Sequence, residues 1–142
     1  VKATRNQWLH TGDGFIRDAD GNFFFVDRQK DAIRRRGENI SSFEVEACVN
    51  QHPAVLESAA VAVPSEFGED EVMIVVVTQP GESLAPNDLY EFCASKLPKF
   101  MLPRYVRFVD ALPKTPTQKV QKAKLREHSV DATTWDRNVV VA

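Results

Sequence analysis

Val55-Leu56-Glu57-Ser58-Ala59-Ala60-Val61-Ala62-Val63 and Glu71-Val72-Met73-Ile74-Val75-Val76-Val77-Thr78 are the most β-prone stretches of the chain, joined through Pro64-Ser65-Glu66-Phe67-Gly68. β-branched side chains are stiff at χ1 and pack well on a pleated surface, so both stretches predict strands and the Pro/Gly segment predicts their connecting loop. From 73 to 77 every residue is apolar. A half-exposed strand would alternate, so this one predicts a sheet covered on both faces, by helices or by another domain. The domain is expected to be α+β, built on these two central strands.

C-terminal to these strands, Pro86 opens a predicted helix whose Leu89, Phe92, Cys93 and Leu97 share one face, with Pro98 as its stop. Tyr105-Val106-Arg107-Phe108-Val109 predicts a third strand, and 120–126 a last short helix. No periodicity is readable from 129 onward. Upstream, Ser41 stands three residues before Glu44, the spacing of a capping box, and predicts a helix over 42–51 ended by His52-Pro53. Phe15-Ile16-Arg17 and Phe23-Phe24-Phe25-Val26 flank Asp18-Ala19-Asp20-Gly21-Asn22, which reads as a hairpin. After the charged run Asp27-Arg28-Gln29-Lys30-Asp31, a short strand should meet a tight Gly37-Glu38-Asn39 turn. The expected fold is therefore an N-terminal hairpin followed by a small, roughly three-stranded sheet covered by helices.

At 142 residues and 16.0 kDa the chain suits one ordinary domain. Its 18 Lys and Arg against 20 Asp and Glu give a net charge of -2, which excludes a generally basic nucleic-acid coat. No apolar run approaches the roughly 18 residues that span a bilayer. The two cysteines, Cys48 and Cys93, fall in predicted helices and read as buried, reduced thiols of a cytoplasmic protein, too few for a disulfide framework or a zinc site. His10, His52 and His128 have no carboxylate or Cys at ligand spacing, so no metal site and no His-based triad is assigned. The start at Val1, without Met or a signal-peptide pattern, suggests a fragment. Charge is segregated: eight acids and no Lys or Arg lie between 57 and 91, nine bases and one acid between 96 and 126. A basic C-terminal third suggests an anionic ligand met from that end.

Single residues carry open readings. Lys119, in a loop with Pro113 and Pro116 and with Lys114 and Lys122 nearby, is either a solvated surface cation or an ammonium delivered to a phosphate or oxyanion. Asp13, in Thr11-Gly12-Asp13-Gly14, is either a turn residue or an acceptor for ribose hydroxyls. Arg34, Arg35 and Arg36 are either a solvated face or phosphate clamps, and adjacent strand residues alternate in direction, so all three cannot face one ligand. No P-loop or Gly-x-Gly-x-x-Gly pattern occurs.

The order of three segments resembles the C-terminal portion of the adenylate-forming acyl-CoA synthetases, the superfamily of luciferases and nonribosomal adenylation domains. Trp8-Leu9-His10-Thr11-Gly12-Asp13 is similar to the family's aromatic-x-x-Thr-Gly-Asp, which implies a ribose-binding role for Asp13. Asp27-Arg28-Gln29-Lys30-Asp31-Ala32-Ile33 with Gly37-Glu38-Asn39-Ile40 is similar to the family's hinge and the loop after it, which implies a ribose contact at Arg28 and a pivot at Lys30. Leu112-Pro113-Lys114-Thr115 leading to Lys119 is similar to the late Pro-Lys-Thr-x-x-Gly-Lys motif, which implies that Lys119 is the adenylation lysine. Gln118 stands where that pattern has Gly, and Gln reaches φ > 0 less readily than Gly does. Thr134-Trp135-Asp136-Arg137 resembles the tails of bacterial CoA ligases, which places a C-terminus nearby.

The resemblance implies residues 1–29 as the last hairpin of a large adenylation domain and 30–142 as a mobile C-terminal domain. It implies an ATP-dependent carboxylate–CoA ligase, inactive as this piece alone, that makes an acyl-adenylate with release of pyrophosphate and then a CoA thioester with release of AMP. Gly37, Glu38 and Asn39 would face CoA, Arg34 to Arg36 would hold CoA phosphates, and Mg would be bound by the N-terminal domain, the partner of this one. Lys119 would be a target for acetylation, which removes its charge. Two alternatives stand beside it: an adenylation domain that loads a carrier protein, and a free-standing α+β binding module using its basic segment. The identity of the carboxylic acid lies outside these residues.

Overall fold

The computed structural model describes residues 4–5, 8–66, 68–128 and 130–139. The expected Phe67 loop residue, Ser129 and the ends of the chain lie outside the described residues. Strands β1 (Thr4–Arg5) and β2 (Trp8–Leu9) pair antiparallel, and β3 (Asp13–Arg17) and β4 (Phe23–Arg28) form the expected hairpin. Its turn closes through Asp18, whose carboxylate accepts the Asn22 N–H at 2.8 Å and the Asn22 side-chain amide at 3.0 Å. These bonds to the charged form hold the Asp18 carboxyl below its usual range.

A second, smaller hairpin follows, β5 (Ile33–Arg35) with β6 (Glu38–Ile40). Its turn corrects the expectation: the two-residue loop is Arg36-Gly37, at φ 52° and 80°, while Glu38 and Asn39 belong to the return strand. Both central residues at positive φ define a type I′ turn, whose twist matches that of the flanking strands. Helix α1 (Ser42–Val49) starts where predicted, with the Ser41 hydroxyl accepting the Glu44 N–H at 3.3 Å, and ends two residues earlier than expected.

The central strands β7 (Val55–Pro64) and β8 (Asp70–Thr78) are antiparallel neighbours, with a register shift between Val55 and Glu57. Helix α2 (Pro86–Ala94) carries Pro86 in its first turn and stops short of Pro98, with Ser95 as its C-cap. Beyond a 3-10 turn at Lys99–Met101, β9 (Tyr105–Phe108) runs parallel to β8. Helix α3 (Lys122–Glu127) precedes β10 (Trp135–Asp136), a two-residue edge strand antiparallel to β9 that periodicity did not reveal. The sheet is thus four-stranded, in the order β10-β9-β8-β7, one short edge strand more than expected.

Strand β8 is buried on both faces, as its composition demanded. Val72, Ile74 and Val76 meet Val45, Val49, Leu89, Cys93, Ile33 and Ile40 on one side, so α1, α2 and the small hairpin cover that face. Met73, Val75 and Val77 meet Tyr105, Leu112 and Leu125 on the other, under α3 and the loop before it. Each buried Val, Ile or Met side chain contributes ~1.5–3 kcal/mol relative to exposure. Cys48 and Cys93 are buried free thiols in this core.

Candidate functional site

Residues 113–121 fold into a tight reversal that presents Lys119. Lys114 and Val120 form an antiparallel bridge, Thr115 N donates to Lys119 O at 2.8 Å, and Gln118 N donates to Thr115 O at 2.9 Å. Pro116 pre-sets φ at the first corner of the turn, and Gln118 follows in the left-handed region at φ 63°. This is a three-residue hairpin loop closed by a bulge whose last position favours glycine. Gln118 therefore occupies the left-handed conformation for which the resembled motif uses Gly. The Thr115 hydroxyl accepts Lys119 N at 3.1 Å and so braces the strained step.

The three lysines of this region are not equivalent. Lys114 Nζ meets the Glu57 carboxylate at 2.6 Å, and Lys122 Nζ meets Glu46 at 2.7 Å and the Ser42 hydroxyl at 2.6 Å. Lys119 is exposed, and no ion pair or side-chain hydrogen bond engages its ammonium among the described residues. Of these three lysines, its charge is the one left available for an anion among the described residues.

Asp13 and Arg28 are brought together by strand register: they are direct partners across β3 and β4, and Arg28 Nε lies 3.4 Å from the Asp13 carboxylate. Neither is buried, the side chains being 26% and 48% exposed, so both remain open to a ligand. Gly37, Glu38 and Asn39 are exposed at the small hairpin. Arg34 and Arg36 also point outward, whereas Arg35 turns inward, as strand alternation requires. The Arg36 N–H donates to the Glu69 carboxylate, which holds the turn.

Lys30 is exposed in the connector between the two hairpins, which is pinned on both sides. Gln29 N donates to Gly12 O at 2.8 Å, Asp31 pairs with Arg126 at 3.3 Å, and Arg126 also donates to Lys30 O at 3.4 Å.

Sequence reasoning missed Asp27. Its carboxylate accepts Ser42 N at 2.6 Å, the Ser42 hydroxyl at 2.8 Å and Phe43 N at 3.4 Å, at the N-terminus of α1. Nothing in the local pattern separates Asp27 from the other charges of its run. Glu46, also missed, accepts Ala60 N at 2.8 Å, and burial pushes its carboxyl pKa up while Lys122 pulls it back.

The basic segment reads differently once folded. Arg104 pairs with Asp136 and Glu66, Arg107 with Asp131, Lys114 with Glu57, Lys122 with Glu46 and Arg126 with Asp31. Segregation along the chain is largely cancelled in space, and the expected basic face shrinks to a few positions that include Lys119. Among the described residues no group of three His, Cys, Asp or Glu could hold a metal ion, and no helix is long and apolar enough to cross a membrane.

Comparison with known proteins gives the class. The family described as the AMP-binding enzyme C-terminal domain matches residues 44–119, more than half of the chain. The chain belongs to that family: it is the C-terminal domain of an adenylate-forming enzyme. It is 44% identical over 128 residues to "Probable acyl-activating enzyme 5, peroxisomal" of Arabidopsis thaliana, covering 89% of this chain and 23% of the relative. It is 43% identical over 126 residues to "2-methylpropanoate--CoA ligase CCL4" of Humulus lupulus, covering 87% and 23%. It is 39% identical over 120 residues to "Fatty acid--[acyl-carrier-protein] ligase ScoC" of Streptomyces coeruleorubidus, covering 84% and 23%. Among solved structures, ATP-bound MatB from Rhodopseudomonas palustris superposes with a TM-score of 0.79 at 33% identity, over 84% of this chain and 24% of that one. The chain thus spans about a quarter of the length of the relatives it matches.

Proposed function

We propose that the chain supplies the mobile catalytic domain, and the last hairpin of the preceding one, to an ATP-dependent carboxylate–CoA ligase. In this reading 1–29 close the large adenylation domain, 30–142 form the domain that moves, and Lys30 is the pivot. The observation that carries it is the unpaired, exposed Lys119 on a hydrogen-bonded turn, with Lys114 and Lys122 on either side neutralised by Glu57 and Glu46.

In the first step a substrate carboxylate oxygen bonds to the α-phosphorus of ATP, and the bond from phosphorus to the bridging oxygen of pyrophosphate breaks. Lys119 stabilises the negative charge on the carboxylate and phosphoryl oxygens without transferring a proton, a role worth ~3 kcal/mol for a preorganised cation. Asp13 accepts the ribose hydroxyls, and Arg28, held across from it, orients that carboxylate and donates to the same sugar. In the second step a thiol sulfur bonds to the acyl carbon, the bond from that carbon to the AMP oxygen breaks, and the thiol proton leaves. Rotation at Lys30 carries Lys119 away and brings Gly37, Glu38 and Asn39 to the thiol donor, with Arg34 and Arg36 free to meet phosphate. Mg would be held with ATP by residues of the large domain.

The thiol is that of CoA in the leading reading. Similarity to the carrier-protein ligase named above favours a phosphopantetheinylated carrier as the second. Buried reduced thiols support a cytoplasmic protein, and the peroxisomal relative makes organelle fractionation the check on that point.

The test is half-reaction kinetics in the full-length polypeptide that contains this chain. Lys119→Ala is expected to lower carboxylate-dependent pyrophosphate release 100-fold or more, while sparing thioester formation from supplied acyl-adenylate. Lys30→Pro is expected to do the reverse. Equal loss of both half-reactions in both variants overturns the reading, and CoA against loaded carrier identifies the acceptor.

A further inference from the structure

We propose that Asp27 is a latch across the pivot: from strand β4, before the connector at 29–32, its carboxylate grips the first turn of α1, after the connector, and fixes the orientation of the small domain until that grip opens. The inference rests on the reading of Lys30 as a pivot.

Three contacts join the same two elements around the connector. The 9% exposed Asp27 takes the N–H groups of Ser42 and Phe43 and the Ser42 hydroxyl. The Ser41 hydroxyl donates to Val26 O at 3.1 Å. The Phe25 and Phe43 rings meet edge to face with centroids 6.1 Å apart. A carboxylate at a helix N-terminus with charge-assisted bonds is among the stronger polar contacts available to a protein surface.

Helix α1 does not need Asp27 in order to start, because Ser41 already caps it through Glu44 N. Asp27 takes the two donors that Ser41 leaves, so its bonds chiefly fix how the hairpin sits on the helix. The contact is also reversible. Phe25 and Phe43 stay about half exposed, at 46% and 53%, so separating the elements uncovers little new apolar surface.

Opening has a defined consequence for Lys119. Lys122, three residues further on, donates to the Ser42 hydroxyl that Asp27 also holds, and its ion pair with Glu46 lies wholly within the small domain. On release Lys122 keeps Glu46, the Lys119 turn travels with α1, and Asp27 is the one charged side chain of these contacts that is returned to water, together with the Ser42 and Phe43 N–H groups and Val26 O. Asp27 Oδ1 also accepts Arg28 N at 2.7 Å, so the latch sits one residue from the proposed ribose contact.

The experiment is a distance measurement between two spin labels in the full-length polypeptide, at Asp20→Cys on the hairpin tip and Asn87→Cys on α2. Both positions are exposed, and the native Cys48 and Cys93 are buried. Without Asp27 substitution one narrow distance is expected. Asp27→Ala should add a second population, raising the open-to-latched ratio about tenfold, and Phe43→Ala should shift it the same way. Phe43→Ala removes a half-exposed ring and decides the matter if Asp27→Ala does not fold. An unchanged distribution in the folded variants overturns the latch. Failure of the ligase reading looks different: no pyrophosphate release by the unsubstituted protein, with the distances unaffected.

Discussion

Arg35 and Glu71 meet in the interior, guanidinium Nε to carboxylate at 2.7 Å, with side chains only 4% and 8% exposed. The pair lies between the small hairpin and strand β8, and Arg35 Nη1 also donates to Leu102 O at 2.9 Å and Phe100 O at 3.2 Å. Burial lowers the guanidinium pKa, and Glu71 opposes that shift. Glu71→Ala would strand a buried cation and is expected to cost ~3–5 kcal/mol of stability. The double variant Arg35→Met/Glu71→Leu, which removes both charges at similar volume, should recover most of that loss. Urea unfolding midpoints of the three proteins check it.

The sorting of the lysines makes a second prediction. Lys119→Ala should leave stability within ~0.5 kcal/mol, since an exposed side chain without a partner is removed. Lys122→Ala should cost ~2 kcal/mol, because Ser42 and the half-buried Glu46 each lose a charged partner. The loss is capped because burial already pushes the Glu46 carboxyl toward protonation. Denaturation curves of the two variants separate a ligand-directed lysine from a structural one, independently of any activity.

Legibility followed the range of the interactions. The two-sided burial of β8, the Ser41 cap and the proline-bearing loop before Lys119 are contiguous patterns, and each is in the structure where the sequence placed it, although the tight reversal inside that loop was not read. The small hairpin was misread by one step because Arg36, a residue that disfavours positive φ, takes the first corner of its turn. Strand β10 is two residues long and has no period to detect. The pairing of Asp13 with Arg28 followed from a hairpin register that a bulge between Gly14 and Phe15 shifts by one residue. Asp27 on Ser42, Glu46 on Lys122 and Arg35 on Glu71 join separate elements through side chains, so only the folded chain reveals them.

Gln118 gives the third prediction. A non-glycine residue in the left-handed region costs ~1–2 kcal/mol, and nothing in the turn requires a side chain there. Gln118→Gly should recover ~1 kcal/mol, reduced by the added freedom of the unfolded chain. Gln118→Val should be destabilising, because a β-branched residue fits positive φ worst. A Gly variant no more stable than the parent, by urea midpoint at unchanged slope, would show that the strain is offset elsewhere.

The last prediction concerns alkaline pH. The Cys93 thiol, wholly buried beside Cys48, has its pKa pushed up to about 12 by burial, with further rises from the charge of the neighbouring Cys48 thiolate and from its hydrogen bond to that sulfur. A thiol in the unfolded chain titrates near 9.0. The folded group thus holds its proton more tightly, and its contribution to stability is full below pH 9.0 and is lost progressively as pH rises toward about 12. Apart from Cys48, which loses its hydrogen bond to Cys93 in the variant, the groups that titrate in the same window are common to the parent and to Cys93→Ala. The variant, although less stable at neutral pH because of the cavity it leaves, should therefore lose stability less steeply between about pH 9 and 11. Urea midpoints taken across that range for both proteins decide it: parallel slopes would mean that Cys93 ionises as readily in the fold as outside it.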